Sequence, residues 1–570
     1  LMALLHFLRG NDLHFQNFLL KDGAPTLVDV ETLFASVRPQ GRSVDLRAVN
    51  ALGDTVHSTG MLPSIMEDPR GDRPGIDVGA LGYRPDQVSP FSTLVVEGPF
   101  TDTMHLQLSN LPSTLPSPFP TDADVLEEID DVLEGFTAMY SWVIEHRDLM
   151  AAWVDELFSD VRLRFLAENT QRYMRTLRLA TNPEVQAQPA SWTALAHRIA
   201  LVRDGVPEAV LRSEVRQLLD GDVPYFSIVG GHRDLCDPAG VCVPELFVES
   251  PVQGSIRVIR AADVESLALN RWIVRLSYIA RLPRSADRTD FQLEREGVLG
   301  EPARSPDHRL TLGGRARDTA LRTVEEICER IRRVRLPAED PFPATWLGAL
   351  ISPTAYQYWK VGELGIDLYA GSTGLARTLV LGGIALQRPA WVNEGSDYLV
   401  ATIERLDQSD SSLSGLRRGA VTGVESLVRT AVDLAQVLGD DDLERRATRL
   451  WARAVAEPSP DRPTDVMLGT AGMLGASVGM AARAATREPA VFAAAAHRLH
   501  GRLVADLQDD GVRTLAGGDP LAYSGYAHGL GGLYAQLGRY AVLPGSAPVT
   551  GLIEDLLQRE VDFFDEQIEQ

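Results

Sequence analysis

Four glycine-rich loops at nearly regular spacing constrain the second half of the chain more than any other feature. They begin at Gly371, Gly419, Gly469 and Gly529, about 48, 50 and 60 residues apart, and an apolar segment of helical length follows each. A period in this range is typical of stacked supersecondary units, and paired glycines let helix N-termini crowd together. The repeat predicts units of a glycine-rich loop, an inner helix and an outer helix, arranged as an α/α toroid. The alternative is a chance Gly-x-x-Gly at unrelated helix starts, which four copies in phase disfavour.

A compact group of polar side chains lies in the first 34 residues. Asp12, His14 and Asn17 form a D-x-H-x-x-N cluster, and Asp29 and Glu31 follow a short apolar strand. A turn that contains glycine and proline separates the two apolar runs, which predicts a β-hairpin. Such a hairpin would bring Asp29 back beside Asn17.

The spacing of this cluster suits phosphoryl transfer. A kinase-type centre needs an acid near the acceptor hydroxyl, an Asn for a magnesium ion and a second Asp for the metals that bridge the phosphates. Asp12, Asn17 and Asp29 fit those roles in that order, because Mg²⁺ keeps several waters and needs few protein oxygens. We therefore expect ATP and Mg²⁺ as cofactors, with Asn17 and Asp29 as magnesium ligands. The alternative is a polar loop in which Asp12 caps a helix.

Composition sets the broad class of protein. The chain has 570 residues, a net charge of −23 and 45% hydrophobic residues, which predicts at least two globular domains. The strongly acidic balance argues against nucleic acid as a partner, and no apolar segment has the length of a membrane span. Three cysteines are too few for a disulfide framework and favour a cytoplasmic location. Cys236 and Cys242, with His232 nearby, form at most a weak metal pattern.

Lysine is almost absent, which matters for a kinase-type site. Only Lys21 and Lys360 are present, and no lysine precedes Asp12. Kinase-type sites use a lysine of the N-terminal lobe to hold the phosphates. We therefore expect that the N-terminal lobe of the first domain is missing from this sequence.

The segment GNDLHFQN followed by LVDVETLF resembles the dehydratase domain of class II lanthipeptide synthetases, the LanM family. That domain is similar to a lipid kinase, so the resemblance implies an α+β kinase-like fold. It also implies an enzyme that phosphorylates Ser and Thr of a precursor peptide and then eliminates phosphate to leave dehydroamino acids. Asp12 and His14 would be catalytic, and Asn17, Asp29 and Glu31 would bind the cofactor.

A segment for the elimination step is also implied by the resemblance. The family carries an R-x-x-x-R-x-T pattern about here, and a cation must hold the leaving phosphate, which arginine does with two hydrogen bonds. Arg172, Arg175 and Thr176 are the nearest match, although the two arginines are one residue closer than in the pattern. The alternative is a solvated basic helix face.

The glycine repeats resemble the LanC-like cyclase domain of the same family, which adds cysteine thiols to dehydroamino acids. The match includes Asp465 before G-T-A-G and His528 in G-Y-A-H-G, which in the family lie in the active site near zinc. Histidine is the natural acid or base at neutral pH. Zinc is expected in a complete cyclase domain, but no cysteine follows Cys328, so zinc ligands are not found in this sequence. His497 and His500 are expected on a helix surface, and the cyclase domain is expected to be C-terminally incomplete.

The predicted organisation is a dehydratase domain over residues 1–281, a linker with a connecting helix over 282–340, and a partial LanC-like domain over 341–570. Two other functions are kept open. The first is a small-molecule phosphotransferase fused to a helical barrel, which leaves the family-like motifs at residues 58–63 and 221–226 unexplained. The second is a degenerate relative that only binds a peptide.

Overall fold

The computed structural model describes residues 1–21, 24–35, 52–67, 75–82, 87, 93–109, 125–200, 206–281, 314–336, 344–351, 359–408, 413, 419–457, 463–483, 485–509 and 525–569. It divides into two compact units. The first comprises Leu1–Arg304 with Gly348–Gly362, and the second comprises Ser305–Leu347 with Glu363–Gln570. Each unit is described by itself.

The first unit combines helices with short antiparallel sheets. Its helices are α1 (Met2–Phe7), α2 (Val125–Glu145), α3 (Arg147–Phe158), α4 (Thr170–Ala180), α5 (Pro183–Gln186), α6 (Pro189–His197), α7 (Glu208–Leu219), α8 (Pro251–Arg260) and α9 (Val264–Arg281). Its strands are β1 (Phe18–Lys21), β2 (Ala24–Leu27), β3 (Ile65–Met66), β4 (Ile76–Asp77), β5 (Thr93–Glu97), β6 (His105–Ser109), β7 (Arg162–Phe165), β8 (Phe226–Val229), β9 (Leu235–Asp237) and β10 (Gly240–Val243).

The hairpin predicted near the N-terminus is confirmed. Strands β1 and β2 pair antiparallel, with Phe18 opposite Leu27 and Lys21 opposite Ala24. The two residues at its tip, 22 and 23, lie outside the described residues. Helix α1 precedes the loop that carries Asp12 and buries nearly all of its apolar side chains.

The first unit also contains a four-stranded antiparallel sheet in the order β10-β9-β8-β7. Phe226 and Ile228 of β8 are buried against Leu235 and Phe247. The Phe165 ring meets the Phe247 ring edge-on at 5.1 Å between centroids. Strand β7, which carries Arg164, is therefore held by its pairing with β8 and by this apolar cluster.

Helix α8 has clear sequence signals at its start. The Ser250 side chain accepts a hydrogen bond from the Gln253 amide at 3.2 Å, and Pro251 occupies the first turn. Both features favour a helix N-terminus. Ile256 is buried on one face, while Arg257 on the other is about half exposed. The helix thus presents Arg257 at the edge of a packed face.

The second unit is built from helices that follow the glycine loops. They are α10 (Gly314–Arg333), α11 (Ser372–Ala385), α12 (Pro389–Gln408), α13 (Val424–Leu438), α14 (Asp441–Ala456), α15 (Thr470–Ala481), α16 (Pro489–Asp509), α17 (Leu530–Ala541) and α18 (Thr550–Glu569). Strands β11 (Arg335–Leu336), β12 (Thr345–Ile351) and β13 (Trp359–Glu363) precede α11. Each predicted glycine loop leads into the first helix of a pair, so the four predicted loop–helix–helix units are confirmed.

One apolar core runs through these helices. Its largest fully buried side chains include Trp346, Trp451 and Phe492. Helix α10, which the sequence suggests as a connector, contributes Cys328 and Ile331 to this core. The indole of Trp346 also donates to the Ile331 carbonyl at 2.9 Å, which ties α10 to β12.

The surface position expected for His500 was wrong. His500 is only 8% exposed and stacks on Tyr540 with ring centroids 4.3 Å apart. His497 is partly buried, and its Nδ1 lies 2.8 Å from the Tyr540 hydroxyl. Burial is the main cause that lowers the pKa of His500, so the ring belongs to the packed interface between α16 and α17.

The second glycine of a loop is required by close backbone packing. A Cβ at Gly472 would lie 1.8 Å from the Val466 carbonyl oxygen, and a Cβ at Gly532 would lie 2.0 Å from the Tyr526 carbonyl oxygen. No side chain fits at such a distance from backbone. The loop therefore folds back onto the first turn of its helix, which explains the repeated spacing.

Replacement of this glycine should destabilise the second unit. Gly472→Ala forces the loop of α15 away from the helix, and overpacking of this kind costs about 1–3 kcal/mol. Gly479→Ala on the same helix is the matched control, because nothing lies within 4 Å of its Cβ position and the residue is exposed. The control should stabilise by up to about 1 kcal/mol through helix propensity. Urea unfolding followed by circular dichroism measures both, and equal effects of the two substitutions would contradict the packing argument.

Candidate functional site

The loop that carries Asp12 is held by backbone hydrogen bonds from distant segments. Asp12 adopts a left-handed backbone with φ of +61°. On its C-terminal side the Leu13 amide donates to the Thr59 carbonyl at 2.9 Å, and the Phe15 amide donates to the Val78 carbonyl at 3.1 Å. The segments that contain Thr59 and Val78 therefore act as the frame of this loop.

Asn17 joins the loop to the hairpin. Its side-chain nitrogen donates to the Asp12 carbonyl at 2.9 Å, while its own backbone carbonyl accepts from the Val28 amide at 3.1 Å. The second bond places Asp29 at the adjacent position, as the hairpin predicted. Because the amide nitrogen is used, the amide oxygen of Asn17 is left as an acceptor that no described residue engages.

The carboxylates of Asp12 and Asp29 influence one another. Burial raises the pKa of Asp12, His14 opposes this, and the negative charge of Asp29 raises the pKa further. Half of the Asp12 side chain is still exposed, at 53%. The carboxylate is therefore accessible. A bound cation would relieve its electrostatic repulsion from Asp29.

The His14 ring lies near this carboxylate, and a backbone hydrogen bond defines its tautomer. Its Nδ1 accepts a hydrogen bond from the Gln16 amide at 3.2 Å. A neutral ring then carries its proton on Nε2, which is 3.7 Å from an Asp12 oxygen. The imidazole can thus orient Asp12, although the distance is longer than a hydrogen bond.

Glu31 is not free to bind a cofactor with its whole carboxylate, because one oxygen forms an ion pair with Arg164. The same guanidinium lies over the Tyr225 ring at 5.9 Å. Arg164 stands on β7, 133 residues from Glu31 along the chain. Sequence reasoning missed this arginine, and no local pattern could have found a partner at that separation.

The residues proposed for elimination lie together on α4. Arg172 pairs with Glu168 at 2.6 Å, and the Thr176 hydroxyl donates to the Arg172 carbonyl at 3.0 Å. Arg175 is exposed. Among the described residues, no hydrogen bond or ion pair joins these three side chains to Asp12 or Asp29. The structure brings Arg164, and not this group, into contact with Glu31, which follows the hairpin.

A second candidate centre lies in the second unit, where Asp465 and His528 meet. The Asp465 Oδ2 atom is 2.8 Å from His528 Nδ1, and its Oδ1 atom accepts from the Leu468 amide at 2.7 Å. Asp465 is fully buried and His528 is 44% exposed. Because the carboxylate accepts from Nδ1, the neutral imidazole has its unprotonated Nε2 towards solvent. This arrangement fixes the tautomer and leaves one basic nitrogen accessible.

Zinc has no fitting ligand set in the described parts of the chain. No group of three or more His, Cys, Asp or Glu side chains there could hold a metal ion. Cys236 and Cys242 lie on strands β9 and β10 in the first unit, and Cys328 is buried in the core of the second. No step is therefore assigned to a zinc ion.

Over the described residues, no helix has both the length and the apolar character needed to cross a membrane.

Comparison with known proteins identifies two families along the chain. Residues 1–229 match the family described as domain of unknown function (DUF4135), and residues 362–569 match lanthionine synthetase C-like protein. The chain is 24% identical over 245 residues to the lacticin 481/lactococcin biosynthesis protein LcnDR2 of Lactococcus lactis subsp. lactis. That match covers 40% of this chain and 25% of the relative, so the chain spans about a quarter of the length of the relative it matches. The order of the two matched families and the similarity to a lacticin 481 biosynthesis protein place this chain in the class II lanthipeptide synthetase family.

Proposed function

We propose that the chain acts in lanthipeptide biosynthesis by ATP-dependent phosphorylation of Ser and Thr in a precursor peptide at the centre formed by Asp12, Asn17 and Asp29. The observation that carries this proposal is the convergence of the three residues, because Asn17 donates to the Asp12 carbonyl and accepts from the amide of Val28, the residue before Asp29. Asp12 is accessible enough to accept the proton of an acceptor hydroxyl. The family membership supports the peptide as substrate and lantibiotic biosynthesis as the setting.

The residues at this centre fit a magnesium ion. Asn17 offers an amide oxygen and Asp29 one carboxylate oxygen, since its Oδ1 already accepts from the Glu31 amide at 3.1 Å. One amide and one or two carboxylates with several waters are typical magnesium ligands. When bound, magnesium and ATP supply the phosphoryl group and neutralise its charge. Asn17 and Asp29 would bind the magnesium ion of that complex, and Asp12 would receive the proton of the acceptor hydroxyl.

Arg164 is the arginine best placed to hold a departing phosphate. It is three-quarters buried and paired to Glu31, two residues from Asp29. A guanidinium binds phosphate with two parallel hydrogen bonds, and partial burial strengthens that attraction. We therefore assign the cation of the elimination step to Arg164, with Arg172, Arg175 and Thr176 as the alternative from the sequence pattern.

The Asp465–His528 pair supports thiol addition as a second activity. The exposed Nε2 of His528 can take a proton from a cysteine thiol of the peptide or return one to the carbon that receives it. Asp465 holds the ring in the required tautomer and stabilises the imidazolium form. The small-molecule phosphotransferase alternative gives this pair no role, so the peptide-modifying function is preferred.

Loss of the carboxylates at the first centre should abolish phosphorylation. Asp12→Asn removes the proton acceptor and Asp29→Asn removes a metal ligand, and each should lower peptide phosphorylation by roughly 100-fold or more. The readout is the intact mass of a precursor peptide after co-expression. Glu208→Gln, which alters an exposed carboxylate paired with Arg212 on α7, is the control. Normal phosphorylation in both Asp variants would overturn the assignment.

The two arginine assignments can be separated by comparing Arg164→Ala with Arg172→Ala. If Arg164 holds the leaving phosphate, its loss should leave phosphorylated peptide that has not lost phosphate, while Arg172→Ala still gives the dehydrated product. Mass spectrometry distinguishes the two peptides directly. The reverse pattern would return the role to the α4 group.

The second centre should be separable from the first. His528→Asn and Asp465→Asn should leave dehydration of the peptide unchanged and reduce thioether formation, by roughly 100-fold for the base. Alkylation of remaining cysteine thiols, followed by mass spectrometry, counts the rings that failed to form. A loss of dehydration in His528→Asn would mean that this residue serves the fold instead.

A further inference from the structure

A cluster of four charged side chains lies on the N-terminal side of the Asp12 loop and outside the residues assigned above. The anchor cluster consists of Arg9, Asp54, Glu249 and Arg257. Arg9 donates to Glu249 at 3.1 Å and lies 3.7 Å from Asp54. Arg257 donates to both acids, at 2.8 Å to Asp54 and 2.9 Å to Glu249. Two positive and two negative charges are thus interlinked across three separate chain segments.

Arg9 is the buried member of the anchor cluster. Its side chain is only 6% exposed, which requires that its charge be compensated. A Cβ at Gly254 would lie 2.5 Å from the Arg9 Nη1 atom and 3.0 Å from Glu249. The absence of a side chain at Gly254 therefore lets the guanidinium lie across helix α8. This fit ties the position of Arg9 to that helix.

The loop that Arg9 opens has an unfavourable backbone. Arg9 has φ of +48° and Asp12 has φ of +61°, so two residues other than glycine are left-handed within four positions. Such conformations persist only where the surroundings fix them. The Arg9 carbonyl accepts from the Ala35 amide at 3.0 Å, and the Leu8 carbonyl accepts from the Phe34 amide at 2.9 Å. These bonds hold the main chain, and the anchor cluster holds the side chain.

We propose that Arg9 is a positioning residue for the phosphotransfer centre, and that Glu249 and Arg257 of the α8 region, with Asp54, lock the strained loop so that Asp12 faces the acceptor hydroxyl. This inference rests on the function proposed for Asp12. Arg9 acts through the backbone, because its guanidinium pairs with Glu249 and Asp54, whereas its main chain lies in the loop that leads to Asp12. Asp54 also holds the segment that leads to Thr59, whose carbonyl accepts from Leu13.

Hydrogen exchange tests the positioning without depending on activity. In the full 570-residue chain, Glu249→Gln removes the acid shared by both arginines. Amides at residues 8–17 should then exchange roughly 10-fold faster, well below the unfolding temperature, because local opening becomes easier. Glu208→Gln is the control, since it breaks an exposed arginine pair of 2.6 Å on α7. Exchange at residues 8–17 equal to that of the control would overturn the proposal.

Kinetics distinguish positioning from general stability. With ATP and a precursor peptide, Glu249→Gln should lower kcat for phosphorylation by roughly 10- to 100-fold, as expected for a misplaced catalytic group, with KM for ATP unchanged. A fall in folded fraction alone would leave the kcat of the folded protein unchanged and would contradict positioning. If wild type phosphorylates no peptide even when the N-terminal lobe expected from the sequence is supplied, the proposed function fails, and the exchange experiment still decides the role of the cluster.

A milder variant covers the case in which Glu249→Gln does not fold. Arg9→Lys keeps the charge, but an ammonium can reach Glu249 or Asp54 and not both in the present geometry. It should raise exchange at residues 8–17 while leaving exchange in α7 unchanged. Wild-type exchange at residues 8–17 in this variant would contradict the proposal.

Discussion

Backbone contact between neighbouring glycine loops is the constraint on which the second unit depends. The amides of Val466 and Met467 both donate to the Ala527 carbonyl at 3.2 Å. Asp465 directly precedes the two donors and His528 directly follows the acceptor, so the same contact brings the carboxylate to the imidazole. The close approach of each loop to its own helix, which excludes a side chain at Gly472, holds the loop against the first turn of that helix. The packing between these loops therefore also determines the geometry of the Asp465–His528 pair.

The first unit reaches its geometry by a different route. Asn17 bonds with its side chain to Asp12 and with its main chain to the residue before Asp29, so one amide residue sets the separation of two carboxylates. The hairpin supplies Asp29, whereas segments after residue 52 and helix α8 supply the frame around Asp12. A loop with two left-handed residues gains its definition from partners that are far away in sequence. The conformation of this loop is therefore determined by tertiary contacts.

This difference explains what could be predicted from the sequence. The hairpin and the four loop–helix–helix units follow from local signals, namely turn residues between apolar runs and paired glycines at a fixed period. Asp465 and His528 were named through family resemblance, but their contact spans 63 residues and no spacing rule predicts it. The ion pair of Arg164 with Glu31 spans 133 residues, and the burial of His500 depends on Tyr540 from another helix. Contacts of this kind are decided by packing between elements.

The two centres also show how environment divides roles among identical side chains. Asp465 is fully buried, and its two oxygens accept from the Leu468 amide and lie at His528 Nδ1, which suits a group that orients the imidazole. Asp12 is half exposed, and its partial burial together with the charge of Asp29 raises its pKa, against the effect of His14, which suits a group that receives a proton. In the function proposed above, the carboxylate in the second unit therefore stabilises a base, whereas the carboxylate in the first is the base. The same reasoning separates the arginines, because Arg164 pairs with Glu31 near Asp29, whereas Arg9 is buried and pairs with Asp54 and Glu249.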